Sequence, residues 1–260
     1  MYYVPEFDGS LVQWTVIIYL CSAPFLGVGE AFGWTSFGYS KFADRKARFA
    51  LPSRLGMFII YFPAVFTFWI GPVVHGVEFS PWLILCGLMT SLHFAKRCAE
   101  VLFLHRYSGV MNFMTMVMIC FLYTTLALLL GEIAATGFTG HPPPAKIDLT
   151  MLTGLGLWIV GTYGNFHHHW LLAQLRKGEE TDYKVPRGSS FDHVACPHYL
   201  FEIIAWWGFS IFFHHIGAAM MIFVMTAYLV GRSHNTLKWY REKLGDELPH
   251  GWKRLVPFVY

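Results

Sequence analysis

The stretch Val110–Gly131, VMNFMTMVMICFLYTTLALLLG, runs without a single charged side chain. A helix rising about 1.5 Å per residue crosses ~30 Å of hydrocarbon with about 20 residues. The run therefore has the length and polarity of a membrane span. Six further apolar runs surround it. Leu11–Gly29, Leu55–Val74 and Pro81–Ala95 precede it; Met151–Leu172, Tyr199–Phe213 and Ile216–Val230 follow. The third, sixth and seventh of the series are short, which predicts helices that begin or end inside the bundle or at its edge. The composition agrees: of 260 residues, 55% are hydrophobic, 18% aromatic and only 13% charged. A soluble domain carries about 25% charged residues, so roughly half the usual charge is missing. The fold class is all-α, a polytopic membrane protein of seven transmembrane helices.

Charge placement fixes the expected orientation, because cytoplasmic loops are rich in Lys and Arg. Lys41, Arg45, Lys46, Arg48 and Arg54 follow the first span, and Lys96, Arg97 and Arg106 follow the third. Arg176, Lys177, Lys184 and Arg187 follow the fifth, and six more lie in the tail from Arg232 onward. All these fall on one side, and only Lys146 falls on the other. A wrong span count would break that alternation. The N-terminus is expected to be lumenal and the C-terminus cytosolic. The net charge of +3 then reports topology, and no basic cluster carries a nucleic-acid motif.

Met1–Ser10 lacks the basic start and small-residue cleavage site of a signal peptide, so the first span is expected to remain in the protein. Cys21, Cys86, Cys98, Cys120 and Cys196 show no paired spacing, which predicts no disulfide framework. Without a repeat, a low-complexity tract or a long linker, residues 1–260 read as one domain.

Polar residues within or beside apolar spans are costly and point to function. Four groups stand out, all on the basic side. His93, Lys96, Arg97 and Glu100 lie at i, i+3, i+4 and i+7, hence on one helix face, with Lys96 and Glu100 spaced for pairing. A positive-inside anchor with snorkelling side chains explains the cations but does not need all four on one stripe. His105 and Arg106 follow. The second group is Gly164-Asn165-Phe166-His167-His168-His169-Trp170, with Gln174 and Arg176 beyond. Consecutive helical residues stand about 100° apart, so three adjacent histidines cannot converge on one metal ion. Asn165, His169 and Arg176 read as hydrogen-bond donors to a polar ligand, and His167 and His168 as structural histidines. No metal is expected.

The third group is Tyr183-Lys184-Val185-Pro186-Arg187-Gly188, then Cys196-Pro197-His198-Tyr199-Leu200-Phe201-Glu202. Here a polar loop enters a helix whose unpaired N–H groups favour an anion. His198 and Glu202 face the same way at i, i+4. A capped interfacial turn in an aromatic belt is the competing reading. The fourth group is Arg232-Ser233-His234 with Trp239-Tyr240, at the end of the last span. A basic tail lying on the membrane surface explains Lys238, Arg241 and Lys243, but explains Arg232 less well. No Rossmann unit is present, since Gly154-Leu155-Gly156 sits inside an apolar span without the strand–turn–helix context such motifs need. Any nucleotide must bind to the bundle itself.

Together these segments resemble the superfamily of steroid 5α-reductases and trans-2-enoyl-CoA reductases. The likeness is carried by LHFAKRCAEVLFLHRYSG (92–109), GNFHHHWLLAQLRK (164–177), YKVPRGSSFDHVACPHYLFEIIAWWGF (183–209) and GRSHNTLKWYREKLGDELPHGWKRLVPFVY (231–260), so the family-like region is about 92–260. FGYSKFADRKARFALPSRLGMF (37–58) is similar to the family's first cytosolic loop. The resemblance implies a membrane NADPH-dependent ene reductase of the endoplasmic reticulum, with its active site facing the cytosol. By position it implies that Asn165, His169, Arg176, Tyr183, Lys184, His198, Glu202, Arg232 and Tyr240 line the NADPH site, with Tyr39, Lys41, Arg97 and Arg106 adding contacts. It further implies a lipid substrate, surrounding membrane lipids and other lipid-synthesis enzymes as partners, and no nucleic acid.

Steroid 5α-reductases place a glutamate on the second span and a tyrosine in the His93 cluster; Tyr61 and Phe94 stand at those positions here. Enoyl-CoA reductases have a lysine and a tyrosine where this chain has Lys96 and Tyr199. The resemblance therefore favours a trans-2-enoyl-CoA, with a 3-oxo-Δ4-steroid or related isoprenoid enone as the alternative. It implies Tyr199 as proton donor, Lys96 as the group that lowers its pKa or binds the oxyanion, and Tyr61 as the alternative donor. From another class, an isoprenylcysteine-type membrane methyltransferase shares a helical bundle but would want an Arg-His-Pro order, where this chain has Cys196-Pro197-His198. A receptor or transporter would line a path across the membrane, whereas these polar residues gather at one face.

Overall fold

The computed structural model of the protein describes residues 2–34, 49–107, 109–138, 142–175 and 184–260. Helix starts follow from local chemistry. The side chains of Ser10, Ser80, Asn112 and Asp148 each accept a backbone N–H of the turn that follows, satisfying donors that a helix N-terminus leaves open. Those caps open α1 (Leu11–Phe32), α5 (Pro81–Ala99), α6 (Phe113–Thr136) and α7 (Leu149–Gln174). Pro197 occupies the first turn of α8 (Pro197–Phe213), and His215 caps α9 (Ile216–Leu244). Two three-residue strands, β1 (Ala50–Pro52) and β2 (Val110–Asn112), pair antiparallel with Ala50 opposite Asn112. They are a small β addition to an otherwise helical chain.

The second apolar run is not one regular helix. It is divided into α2 (Ser53–Tyr61), α3 (Ala64–Thr67) and α4 (Ile70–Val74). Pro63 and Pro72 each remove a backbone donor, and the turns between the pieces tighten to i→i+3 bonds such as Val65 N–H to Phe62 O and Trp69 N–H to Phe66 O. Nor are the third and seventh runs short as helices. α5 reaches Ala99 and continues as a π turn over Glu100–Leu104, and α9 reaches Leu244, where Gly245 takes a positive φ. The polar residues beyond each apolar run continue the helix because nothing there breaks it. Among the described residues, four helical stretches are long and apolar enough to cross a membrane: Leu11–Phe32, Ser53–Val74, Phe113–Thr136 and Ile216–Glu247.

Close packing selects the helix pairs. A Cβ on Gly161 would lie 2.3 Å from Ala205 N, and one on Gly208 would lie 2.5 Å from Trp158 N, so glycine lets α7 and α8 touch backbone to backbone. A Cβ on Gly231 would meet Gly27 O at 2.1 Å, which joins α9 to α1 in the same way. Buried Ile60, Phe68, Trp82, Phe94, Leu126, Phe209 and Phe212 fill the centre.

The two ends of the bundle differ in character. At one end Tyr3 exchanges backbone bonds with His214 and Ile216, and Trp82 packs edge-on against Phe138 and Phe213. At the other lie the β1–β2 pair, the first turn of α8 and the C-terminal segment. There Ala195 and Cys196 donate to the carbonyls of Lys253 and Arg254, and Trp252 and Leu255 pack with Leu237 and Tyr240.

The α7–α8 contact carries the site described below, so glycine replacement tests both together. Gly161→Val should cost about 3 kcal/mol of stability through overpacking and lower nucleotide affinity as the helices part. Gly156→Ala, whose Cβ meets nothing within 4 Å, should stay within about 1 kcal/mol of the parent, on the favourable side. Thermal melts in detergent with and without nucleotide make the comparison.

Candidate active site

Glu100 sits where α5 passes into its π turn, closed by the His105 N–H bond to Glu100 O at 2.7 Å. It is 2% exposed, and a buried carboxylate requires partners. Lys96 Nζ donates to Oε1 at 2.9 Å and Arg97 Nη1 to Oε2 at 2.5 Å. His169 Nδ1 lies 3.1 Å from Oε2 and 2.9 Å from Arg97 Nη1. The stripe expected from spacing is thus real, and its acid is the centre of it. Lys96 also donates to Asn165 Oδ1 at 2.5 Å, and Asn165 Nδ2 donates to His198 O at 2.8 Å and Glu202 Oε2 at 3.1 Å. The chain of bonds ties α5, α7 and α8 together.

Above this network opens a cavity of about 270 Å³. Among the described residues, Arg97, Arg106, Lys184 and Arg232 place four cations on its wall against one carboxylate, Glu202; His105, His169, His198, Tyr199 and Tyr240 complete the polar side. Lys96 and Asn165 are bonded to each other beside that wall, Lys96 also to Glu100 and Asn165 to Glu202. Tyr39, Lys41, Arg176 and Tyr183 lie outside the described residues. Tyr107, Tyr123 and Tyr228 also line the cavity, and sequence reasoning missed them. Tyr123 and Tyr228 lie within apolar runs, where a phenol reads as ordinary core.

Tyr61 lines the wall too, and its hydroxyl oxygen accepts from Arg97 Nη2 at 3.0 Å. Arg97 also stands over the Tyr61 ring at 5.0 Å, and Tyr61 stacks on Tyr123 at 5.4 Å. Tyr123, Tyr228 and Leu229 are shared with a second, apolar chamber of about 60 Å³ between α1, α6 and α9, lined otherwise by Tyr19, Leu26, Ile119, Leu122, Leu126, Val224 and Met225. A polar, cationic compartment therefore meets an apolar one at a group of tyrosines.

The three histidines diverge as expected. His168 Nδ1–H donates to Gly164 O and the ring stacks on Phe201, while His167 lies against Trp170. Among the described residues Glu100, His105 and His169 approach with ligand-like spacing. Arg97 and Lys96 already hold that carboxylate, and two neighbouring cations oppose a metal ion there. The cluster works as an ion-pair network.

Burial, together with the positive charges of His169 and Arg97, pushes the His105 imidazole down to about 3. An unfolded chain protonates this histidine near pH ~6.5, so the folded state forgoes a proton that the unfolded state takes up. Stability should rise with pH between about 3 and about 6.5 on this account. His105→Gln should show a smaller fall in melting temperature from pH 7.5 to pH 5 than the parent.

The family model for 3-oxo-5-alpha-steroid 4-dehydrogenase matches residues 110–260, more than half of the chain. A very-long-chain enoyl-CoA reductase from Dictyostelium discoideum is 36% identical over 180 residues, covering 65% of this chain and 55% of its own length. The 3-oxo-5-alpha-steroid 4-dehydrogenase 1 of Macaca fascicularis is 26% identical over 229 residues, covering 87% of this chain and 86% of its own. A steroid 5-alpha-reductase from Gossypium hirsutum is 34% identical over 110 residues, covering 42% of each chain. The match thus spans about half of the Dictyostelium protein and most of the macaque one. The chain belongs to the 3-oxo-5-alpha-steroid 4-dehydrogenase family, within the superfamily that also holds the very-long-chain enoyl-CoA reductases.

Proposed function

We propose that this protein uses NADPH to reduce the carbon–carbon double bond of a trans-2-enoyl-CoA. The observation that carries the reading is the Tyr61 hydroxyl, held by Arg97 where a cation-lined cavity meets an apolar chamber. The family's reductases act on double bonds conjugated to a carbonyl and use a nicotinamide cofactor. The cavity suits that cofactor by its donor set: phosphates favour Arg, Lys and a helix N-terminus, and the first turn of α8 with Arg106, Lys184 and Arg232 supplies all three. By the resemblance Lys41, Arg176, Tyr39, Tyr183 and Tyr240 are assigned to the same cofactor. His198, Glu202 and His169 hold the ribose and amide.

A nicotinamide held there would supply the hydride for the β-carbon, leaving negative charge on the carbonyl oxygen. A donor aimed at that oxygen lowers the barrier, and the α-carbon then takes a proton. Tyr61 and Tyr199 both line the cavity. Lys96 is held by Glu100 and Asn165, so the favoured donor becomes Tyr61. The Arg97 guanidinium at its oxygen stabilises the phenolate that proton donation leaves. Tyr199 then orients the thioester. Glu100 and His169 keep Arg97 in place.

Two observations favour the thioester over a 3-oxo-Δ4-steroid. Phe94 is fully buried against Tyr123 and Trp206 and offers no hydroxyl for a ring ketone. The apolar chamber is small, about 60 Å³, and a flexible acyl chain enters such a space where a rigid ring system needs it widened. The Dictyostelium relative bears the matching name.

The same reading places one domain, residues 1–260, across the membrane of the endoplasmic reticulum in seven spans, with the active site cytosolic and other lipid-synthesis enzymes nearby. The basic residues supply the orientation, and the N-terminal segment at the end opposite the cavity supports it. In sealed microsomes a tag at Met1 should resist protease and one at Tyr260 should be cleaved. Equal cleavage of both rejects the seven-span arrangement.

Tyr61→Phe should lower kcat about 10²- to 10⁴-fold, as loss of a general acid does, with NADPH affinity nearly unchanged. Tyr199→Phe should raise KM for the enoyl-CoA more than it lowers kcat. A large kcat loss in Tyr199→Phe alone returns the donor role to Tyr199. Turnover of a 3-oxo-Δ4-steroid in preference to any trans-2-enoyl-CoA, followed by NADPH oxidation, rejects the substrate assignment.

A further inference from the structure

Arg232 has a partner that the dinucleotide reading does not use. Glu30, in the last turn of α1, is 0% exposed, and its Oε1 accepts from Arg232 Nη1 while Arg232 is itself 2% exposed. Among the described residues, Glu30 Oε2 has no hydrogen-bond partner. Helix stability does not explain a carboxylate there, because the C-terminal end of a helix carries partial negative charge and disfavours an anion. The placement is built in by the α1–α9 contact, where Gly27 and Gly231 bring the two backbones together and set Glu30 beside Arg232. Arg232 lines the cavity and Glu30 does not.

We propose that Glu30 is the counter-ion of the empty nucleotide site, a residue that satisfies Arg232 until a phosphate arrives and thereby limits how tightly NADPH is held. The proposal rests on the reading of Arg232 as a phosphate ligand. A buried arginine without an anion is strongly destabilising, so Arg232, 2% exposed, needs an anion from the protein when no phosphate is bound. Once phosphate binds, the same carboxylate lies near a second anion and opposes it. Nucleotide release is favoured by that repulsion. The sign of the effect separates this role from others. A residue that only positions Arg232 strengthens phosphate binding, and one that only joins α1 to α9 leaves it unchanged. A counter-ion weakens it.

The test uses the full-length protein in detergent, with NADPH affinity read by tryptophan quenching and melting temperature read with and without saturating NADPH. Glu30→Gln should lower the melting temperature of the free protein, and saturating NADPH should restore most of the loss. Its NADPH affinity should tighten about tenfold, as removal of a like charge beside a bound anion implies. Glu30→Asp, which draws the carboxylate back by one methylene, should tighten binding about threefold on the same grounds. If Glu30→Gln does not accumulate, the double variant Glu30→Gln/Arg232→Gln should, because it removes both buried charges, and it should bind NADPH weakly. Unchanged or weaker NADPH binding in both Glu30 variants overturns the proposal, as does a double variant no more stable than Glu30→Gln. Arg232→Ala separates the underlying reading. If it leaves NADPH affinity intact, Arg232 is not a phosphate ligand and the proposal falls with that reading. If it weakens binding while the Glu30 variants fail to tighten it, the counter-ion proposal fails alone.

Discussion

Glu100 is the charge on which the arrangement of the site depends. A carboxylate at 2% exposure cannot stand alone in a bundle this apolar, since each uncompensated buried charge costs several kcal/mol. Its two oxygens gather Lys96, Arg97 and His169 from two different helices. The consequences run outward. Arg97 is fixed with its second nitrogen toward Tyr61, and Lys96 is fixed toward Asn165, which in turn reaches Glu202 and the His198 carbonyl. A mobile arginine holds a phenol poorly, whereas one pinned by a buried carboxylate holds it in a single position. The π turn at Glu100–Leu104 fits this account, because π turns are rare and recur at functional sites.

Much of this is legible in the sequence. The i, i+3, i+4, i+7 spacing of His93, Lys96, Arg97 and Glu100 put them on one face, and Lys96 and Arg97 do meet Glu100 there. Periodicity shows which side chains share a face, but not which of them satisfy one another and which remain for a ligand. Spacing does not show that Lys96 and Asn165 bond to each other, nor that Tyr107, Tyr123 and Tyr228 line the same cavity as the charged residues. Helix continuity is hidden for a related reason. Hydropathy marks where an apolar run stops, yet α5 and α9 continue past it, since a helix ends at a breaker or a cap rather than at a change in polarity. The prolines that divide α2, α3 and α4 were visible in the sequence, but an apolar run of span length masked them.

Glu30 escaped for the simplest of these reasons. An ionisable group inside a span is expected to be functional, but a boundary drawn at Gly29 left Glu30 one residue outside, where an acid needs no explanation. The helix runs on to Phe32 and the residue is buried. Only the tertiary contact of α1 with α9 gives it a partner, 202 residues away in sequence. Long-range ion pairs of this kind leave no periodic trace. They depend on how closely two helices pack, which here turns on glycines that carry no charge signal of their own.

The site poses one electrostatic problem in two states, and the two acids divide it. A polyanionic cofactor calls for several cations on one wall, but those cations must coexist when the cofactor is absent. Glu100, 2% exposed, holds the inner pair, Lys96 and Arg97, and offsets one of their two charges. Arg106 and Lys184 are less buried than Arg232 and have solvent as an alternative partner. Arg232, at 2% exposure, has no such alternative, and it is the cation that receives its own carboxylate from the first helix. Burial therefore decides which cations need a protein counter-ion. The more deeply a phosphate-binding arginine is placed, the more its binding strength is set by the acid beside it rather than by its own charge.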